Sequence, residues 1–300
     1  MLRSDPVLFA HEREAEPGVE LPALRNALCI QNQQPSAHHP CTVPRRAPEN
    51  GGMSKHLGFG VDIGGSGIKG APVDLHKGEL AEERFRVPTP QPSTPEAVAE
   101  VVREVLDHFK WDGEFGCTFP AVIQHGIVRT AANVDDAWIG ADGHKLLERV
   151  TGRRALLVND ADAAGVAEVR FGAAHKHRGV VLVCTIGTGI GSALVVHGKL
   201  VPNTELGHLE LDGHDAESRA ADSAREREEL SWEAWAERLT RYFRHVEDLF
   251  WPDLIVLGGG VSKKADRWLP LVRTRTEIVP AKLRNSAGIV GAAVLAAERD

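Results

Sequence analysis

Apolar positions in this chain come in short, strand-length runs, and three of the clearest lead into glycine-rich stretches. Leu57–Val61 runs into Asp62-Ile63-Gly64-Gly65-Ser66-Gly67-Ile68-Lys69-Gly70. Val180–Cys184 runs into Thr185-Ile186-Gly187-Thr188-Gly189-Ile190-Gly191-Ser192, and Leu254–Val256 into Leu257-Gly258-Gly259-Gly260-Val261-Ser262. Runs of this length, bounded by turn residues, read as β-strands. Gly70–Val73 and Arg84–Val87 read as further strands, with Asp74–Gly78 as a hairpin turn between them. Phe115–Phe119, the extended segment Ala121–Val128, Leu156–Val158 and Ala193–His197 complete the strand-like set.

Helical spacing alternates with these runs. Thr94-Pro95-Glu96 supplies an N-cap, a proline at the first position and an acid in the first turn. Val98, Val101, Val102, Val105, Leu106 and Phe109 then recur at the helical period. Ala161–Phe171 reads as a helix directly after Asn159-Asp160. Glu226–Phe250 reads as one long amphipathic helix with Trp232, Trp235, Leu239, Phe243, Val246 and Phe250 on its apolar stripe, which marks core rather than a base-stacking surface. Ala287–Glu298 is small and apolar, suited to close packing. A strand-rich segment followed by helices therefore occurs twice, which predicts two α/β lobes with room for a ligand between them.

The glycine stretches add chemistry to that frame. Glycine after a strand lets backbone N–H groups approach phosphate oxygens closely, and a carboxylate nearby can hold a hydrated Mg²⁺. One such loop is weak support, because glycine also marks ordinary turns. Three in this order point to phosphoryl chemistry. None is a Walker A loop, since no Gly-Lys-Ser/Thr follows the required spacer. None fits the dinucleotide fingerprint, because Asp62 precedes its glycines instead of following them by about 20 residues.

Composition narrows the classes. The chain has 300 residues, a net charge of −7 and four cysteines. That charge gives no global reason to expect nucleic acid or an anionic membrane as partner, and the apolar runs are too short to span a bilayer. Cys117 and Cys184 sit in apolar runs, as buried reduced thiols do, which fits a cytoplasmic protein. No Cys-x-x-Cys pair occurs, so no structural zinc is expected. Residues 1–52 carry His-His-Pro, Pro-Arg-Arg and Ala-Pro-Glu-Asn-Gly-Gly without a sustained apolar period, and read as a disordered extension. Met53 offers an internal start for the folded part.

Taken together, Asp62-x-Gly64-Gly65-Ser66-x-x-Lys69, Asn159-Asp160, Gly187-Thr188-Gly189-x-Gly191 and Glu205-Leu206-Gly207-His208 resemble the ROK sugar kinases of the actin/hexokinase-like superfamily. Arg129–Asp135, Asn159–Gly165, Pro202-Asn203-Thr204-Glu205 and Trp251-Pro252-Asp253-Leu254 resemble more narrowly the polyphosphate-using glucokinase branch of that family. The resemblance implies a two-lobed α/β fold, ribonuclease H-like, with a ligand cleft between lobes. On it, residues 53–165 form the first lobe and 166–286 the second, with the terminal helix, 287–300, packed on the first. Many ROK proteins place a zinc-binding cysteine cluster after Glu-x-Gly-His. This chain has no cysteine between 209 and 230, which frees His208 from that role and favours the narrower branch.

The resemblance also assigns roles. Asp160 is the general base, with capping of the following helix as its alternative role. Asn133, Asn159, Glu205, His208 and, less directly, Glu217 hydrogen-bond the hexose. Their paired donors and acceptors suit adjacent hydroxyls. Asp62 positions Mg²⁺. Gly64, Gly65, Ser66 and Lys69 cradle the transferred phosphoryl; Thr185, Gly187, Thr188 and Gly189 form the facing phosphate loop; Gly258 and Gly259 belong to the adenosine-side loop. The implied partners are glucose and inorganic polyphosphate, ATP or both, in a homodimer. A polyanion needs an extended basic surface. Arg219, Arg225, Arg227, Lys263, Lys264, Arg267, Arg273, Arg275, Lys282 and Arg284 in the second lobe are candidates. Competing readings are an ATP-dependent gluco/mannokinase, and a ROK sugar-sensing regulator. A regulator carries an N-terminal helix-turn-helix, for which residues 1–52 show no paired helical period.

Overall fold

The computed structural model describes residues 56–131 and 134–299. Asn133 and the extension 1–52 lie outside the described residues. The first sheet opens with β1 (Leu57–Gly64), which folds back on β2 (Gly67–Asp74) in unbroken register from Leu57↔Asp74 to Gly64↔Gly67. Only Gly65 and Ser66 are left to make the turn. The sequence reading ends the first strand at Val61. A two-residue hairpin lets the ladder run to its limit, so Asp62 and Lys69 lie inside strands rather than in a loop.

β3 (Glu79–Leu80) and β4 (Phe85–Val87) both pair with β2. Helix α1 (Pro95–His108) follows, with Thr94 accepting from Ala97 N–H as its cap. β5 (Phe115–Phe119) joins β1 in parallel. A hairpin of β6 (Ile123–Gln124) and β7 (Ile127–Val128), helix α2 (Gly143–Thr151) and β8 (Ala155–Asn159) complete this half, β8 lying parallel to β5. The strand order is β3-β2-β1-β5-β8. Its core joins Phe59, Val61, Phe115, Cys117 and Leu157 of the strands to Val98, Val102, Val105 and Leu106 of α1.

Helix α3 (Asp160–Arg170) leads to the second sheet: β9 (Val180–Ile186), β10 (Ile190–Val196) and β11 (Lys199–Val201). Then come the hairpin β12 (Glu210–Leu211) and β13 (His214–Asp215), and helices α4 (Glu217–Ala220), α5 (Asp222–Arg227) and α6 (Trp232–Phe250). The single helix expected from Glu226 is in fact two. Ser231 accepts from Ala234 N–H and starts α6 afresh, while Glu226 ends in α5. β14 (Leu254–Gly258), α7 (Ala265–Trp268), β15 (Ile278–Pro280) and α8 (Ala287–Ala297) close the fold. The order β11-β10-β9-β14-β15 repeats that of the first sheet, parallel and antiparallel pairings included. Trp235, Leu239, Tyr242, Phe243 and Val246 of α6 pack with Cys184, Ile255 and Trp268.

Two helices cross between the halves. α3 leaves the first sheet and packs on β9 and β10; α8 leaves the second and packs on β1 and β5. The backbone of α8 comes so near at Ile289 and Ala292 that any side chain at Gly60 or Gly116 would collide with it. α3 and α8 also pack on each other. Buried Glu168 of α3 accepts from the N–H groups of Lys282 and Leu283, so one carboxylate ties both crossings. Among the described residues no helix is long and apolar enough to cross a membrane.

Candidate active site

A cleft of about 830 Å³ opens where the two sheets end. Asp62, Gly64, Gly65, Asn159, Asp160, Thr185, Gly187, Thr188, Gly189, Glu205, His208, Glu217 and Gly259 line it together. Three anticipated residues are not in that lining. Ser66 forms the exposed tip of the β1–β2 turn, Lys69 is held against Asp62, and Gly258 ends β14 opposite Thr185.

Asp160 is the first residue of α3. Asn159 is the helix cap, its Oδ1 accepting from the N–H groups of Ala161 and Asp162 and its Nδ2 donating to Ala121 O at 3.1 Å, but Asp160 keeps a share of that role, its Oδ1 accepting from Ala161 N–H at 2.9 Å. Asn159 is thus largely committed to the chain, with one amide hydrogen left for a ligand. The Asp160 carboxyl is exposed to solvent on the cleft side, with protein atoms crowding its other sides. That loss of hydration, and next the charge of Asp62, push it up to about 6.

Asp62 is engaged on both oxygens. The Thr118 hydroxyl donates to Oδ1 at 2.7 Å, and Lys69 Nζ lies 2.9 Å from Oδ2. Glu205 lies just before the turn that carries His208. Burial, and Glu217 beside it, raise its carboxyl above the usual range, while His208 draws it down. His208 Nδ1 is 2.8 Å from Asp215 Oδ2, and that hydrogen bond raises the imidazole. Ligand atoms of His208, Asp215 and Glu217 all lie within 4.8 Å of one another. Glu217 Oε2 also accepts from Ile190 N–H at 2.9 Å, which joins the acidic wall to the β9–β10 turn. That turn is fastened from behind as well: Ser223 N–H donates to Gly187 O, and its hydroxyl to Thr188 O.

Several working residues escaped the sequence reading. Thr118 is a polar residue in an otherwise apolar run, a signal that it serves something. Asp162 stands two residues after Asp160 on α3. It is buried, its Oδ2 accepts from Asn203 N–H at 2.8 Å, and its Oδ1 has no partner. Burial pushes its carboxyl up to about 7, with Asn203 N–H drawing it down and Glu205 pushing it further up. Asn203, at φ 57, turns its amide across to the first half. Ile123 N–H donates to its Oδ1 and its Nδ2 donates to Ile123 O, both at 2.8 Å. The latch therefore spans the two halves just ahead of Glu205. Of the basic candidates, Arg225 pairs with Asp222 and Glu226, Arg227 with Glu228, and Arg275 with Asp248 while stacking on Trp251. Those three are already engaged with the protein's own groups.

The ROK family model matches residues 58–220. Polyphosphate glucokinase of Mycobacterium leprae (strain TN) is 47% identical over 285 residues, covering 95% of this chain and 87% of that protein. Polyphosphate glucokinase of Mycobacterium tuberculosis (strain CDC 1551 / Oshkosh) is 49% identical over 254 residues, or 84% of this chain and 96% of that one. Among solved structures, the inorganic polyphosphate/ATP-glucomannokinase from Arthrobacter sp. strain KM superposes with a TM-score of 0.77. It shares 56% identity, over 81% of this chain and 99% of its own.

Proposed function

Because the chain belongs to the ROK family, we propose that it transfers a phosphoryl group from inorganic polyphosphate, and from ATP, to the 6-hydroxyl of glucose. The observation that carries this reading is the setting of Asp160. It keeps one oxygen beyond its bond to Ala161 N–H, opens to the cleft between the two glycine turns, and is pushed up to about 6 by desolvation and Asp62 against that bond. A carboxylate with a raised pKa is still ionised at neutral pH and accepts a proton more readily than an ordinary one. In this reading Asp160 takes the proton of the sugar hydroxyl as its oxygen attacks phosphorus. Glu205, His208, Glu217, Asn133 and the remaining hydrogen of Asn159 orient the hexose. The N–H groups of the two turns face the phosphate oxygens, and alignment supplies much of the rate.

The residues present fit a hydrated Mg²⁺. Asp62 and Asp160 both border the cleft, and each Asp62 oxygen keeps a free lone pair beyond its bond to Thr118 or Lys69. When bound, the ion would offset negative charge on the donor phosphates, with Asp62 holding its water shell. The same family analogy makes a homodimer the expected assembly. The Arthrobacter relative, a glucomannokinase by name, makes mannose the second acceptor to examine.

The test is formation of glucose 6-phosphate by the purified protein with Mg²⁺, using polyphosphate and ATP at matched phosphoryl concentrations. Product from both, with the higher kcat/KM for polyphosphate, is expected. Product from ATP alone would remove the polymer from the reading, and no product from either would overturn it.

A further inference from the structure

One row of side chains runs across the first sheet from its centre to its edge. Thr118 of β5 lies opposite Asp62 of β1, Asp62 opposite Lys69 of β2, and Lys69 opposite Arg86 of β4. Residues directly opposite on adjacent strands share a face, so these four stand side by side. The single carboxylate in the row is taken at both oxygens, by Thr118 and Lys69. Arg86 is left as a second cation facing the first. Like charges directly opposite destabilise a sheet, and among the described residues no carboxylate lies within 4.0 Å of Arg86 to relieve it.

The guanidinium instead lies on the β1–β2 turn. Arg86 Nη2 donates to Ser66 O at 2.8 Å and sits 3.5 Å from Ser66 Oγ. A Cβ at position 67 would stand 2.5 Å from Arg86 Nε, so glycine there is what allows the fork to lie flat. Most of its five donors remain uncommitted, and the side chain is exposed. The cleft lining reaches Gly65, the neighbour of Ser66 in the turn, stops short of Arg86, and contains Asp62, Asp160, Glu205 and Glu217 but no lysine or arginine. A condensed phosphate entering that cleft meets mostly negative charge. Of the two cations at the turn, Lys69 is already neutralised, and Arg86 is the one free to receive it. A planar guanidinium matches two non-bridging phosphate oxygens at once.

We propose that Arg86 is a phosphate-binding residue of the donor site, gripping the donor's phosphate chain where it crosses Ser66 and Gly67. The inference rests on the kinase reading above. It applies to the chemistry that polyphosphate and a nucleoside triphosphate share, so both are used as probes.

Arg86→Gln and Arg86→Lys are compared with the wild type in three measurements: calorimetric binding of inorganic tripolyphosphate with Mg²⁺, KM for polyphosphate, ATP and glucose, and the salt dependence of donor KM. Arg86→Gln should weaken tripolyphosphate and raise both donor KM values by about tenfold or more. Its glucose KM should stay unchanged, with a shallower salt dependence. Arg86→Lys should keep the salt dependence and recover part of the affinity. A donor effect confined to ATP or to polyphosphate would restrict the grip to that ligand and overturn the shared site. If both variants lower kcat alone, with donor KM and tripolyphosphate binding as in the wild type, Arg86 only braces the turn and the proposal falls. A wild type that binds tripolyphosphate but phosphorylates no sugar would sink the kinase reading, while the binding comparison would still decide Arg86.

Discussion

β1 and β9 hold the same place in their sheets. Each is central, folds back on an antiparallel neighbour through a glycine turn, and has a parallel strand on its other side. The surroundings of the two turns differ. The first is set among charges: Asp62 and Lys69 below it, Arg86 across it, and the Thr89 hydroxyl on Gly64 O at 2.5 Å. The second is fastened by Ser223 and by the carboxylate of Glu217 on a backbone N–H, with no cation in the arrangement. The repeated topology supplies two phosphate-sized turns that face one cleft. What separates them is the sign of the charge nearby: cations, Lys69 and Arg86, stand at the first turn, while the side chains of the second half that face the cleft include the carboxylates of Glu205 and Glu217. On the proposed reading, the first turn serves the reacting phosphoryl and the second holds the chain behind it.

Removing the base tests that division hardest. Asp160→Asn should lower kcat by roughly a thousandfold or more with glucose affinity nearly unchanged, read from initial rates and equilibrium binding. A loss below about tenfold would move the chemistry elsewhere. The wild-type kcat/KM should fall as pH drops through about 6, where Asp160 gains its proton. The expected limb is about tenfold per pH unit, and the Asn variant should lack it.

The next effect concerns stability. The Asp162 carboxyl moves from 3.8 to about 7 on folding. Between those values the native state holds a proton that the unfolded chain has released, so stability is greatest below the lower value and declines as pH rises through the upper. The decline is worth at most about 4 kcal/mol. Asp162→Asn should abolish most of it, as urea unfolding at several pH values would show. Asn203→Ala removes two hydrogen bonds that tie the halves together. It should cost about 2 kcal/mol, about 5 °C in Tm, and raise glucose KM by displacing Glu205. The smallest effect belongs to the second turn. Ser223→Ala should destabilise by no more than about 1 kcal/mol and raise donor KM a few-fold, leaving glucose KM alone. If it instead changed kcat as much as the charged turn does, the contrast between the halves would not hold.

What the sequence revealed follows the same divide. Glycine turns after strands, and an acid between a strand and a helix, are local patterns, so the two turns and the place of Asp160 could be read directly, while its role and the sugar-facing residues came from the family resemblance. Capping was open to either neighbour, because Asn159 and Asp160 are both good caps and only backbone geometry separates them. Arg86 gains its meaning from cross-strand register, which no one-dimensional spacing encodes. Asn203 depends on a left-handed residue reaching into the other half. The break before Trp232 had a local signal that was passed over: Glu226 to Glu229 are all charged, the apolar stripe begins at Trp232, and Ser231 is a good N-cap.

The exchange of α3 and α8 between sheets has a consequence for how the protein is made. Around Gly60 and Gly116 the first sheet is covered by the backbone of α8 at Ile289 and Ala292. A ribosome delivers β1, β5 and Asp160 well before it delivers Ile289 and Ala292. Throughout that interval the half bearing Asp62 and Asp160 has an open flank where its last helix belongs. Emergence of α8, more than completion of the second sheet, is then the event that gives the nascent chain its working form.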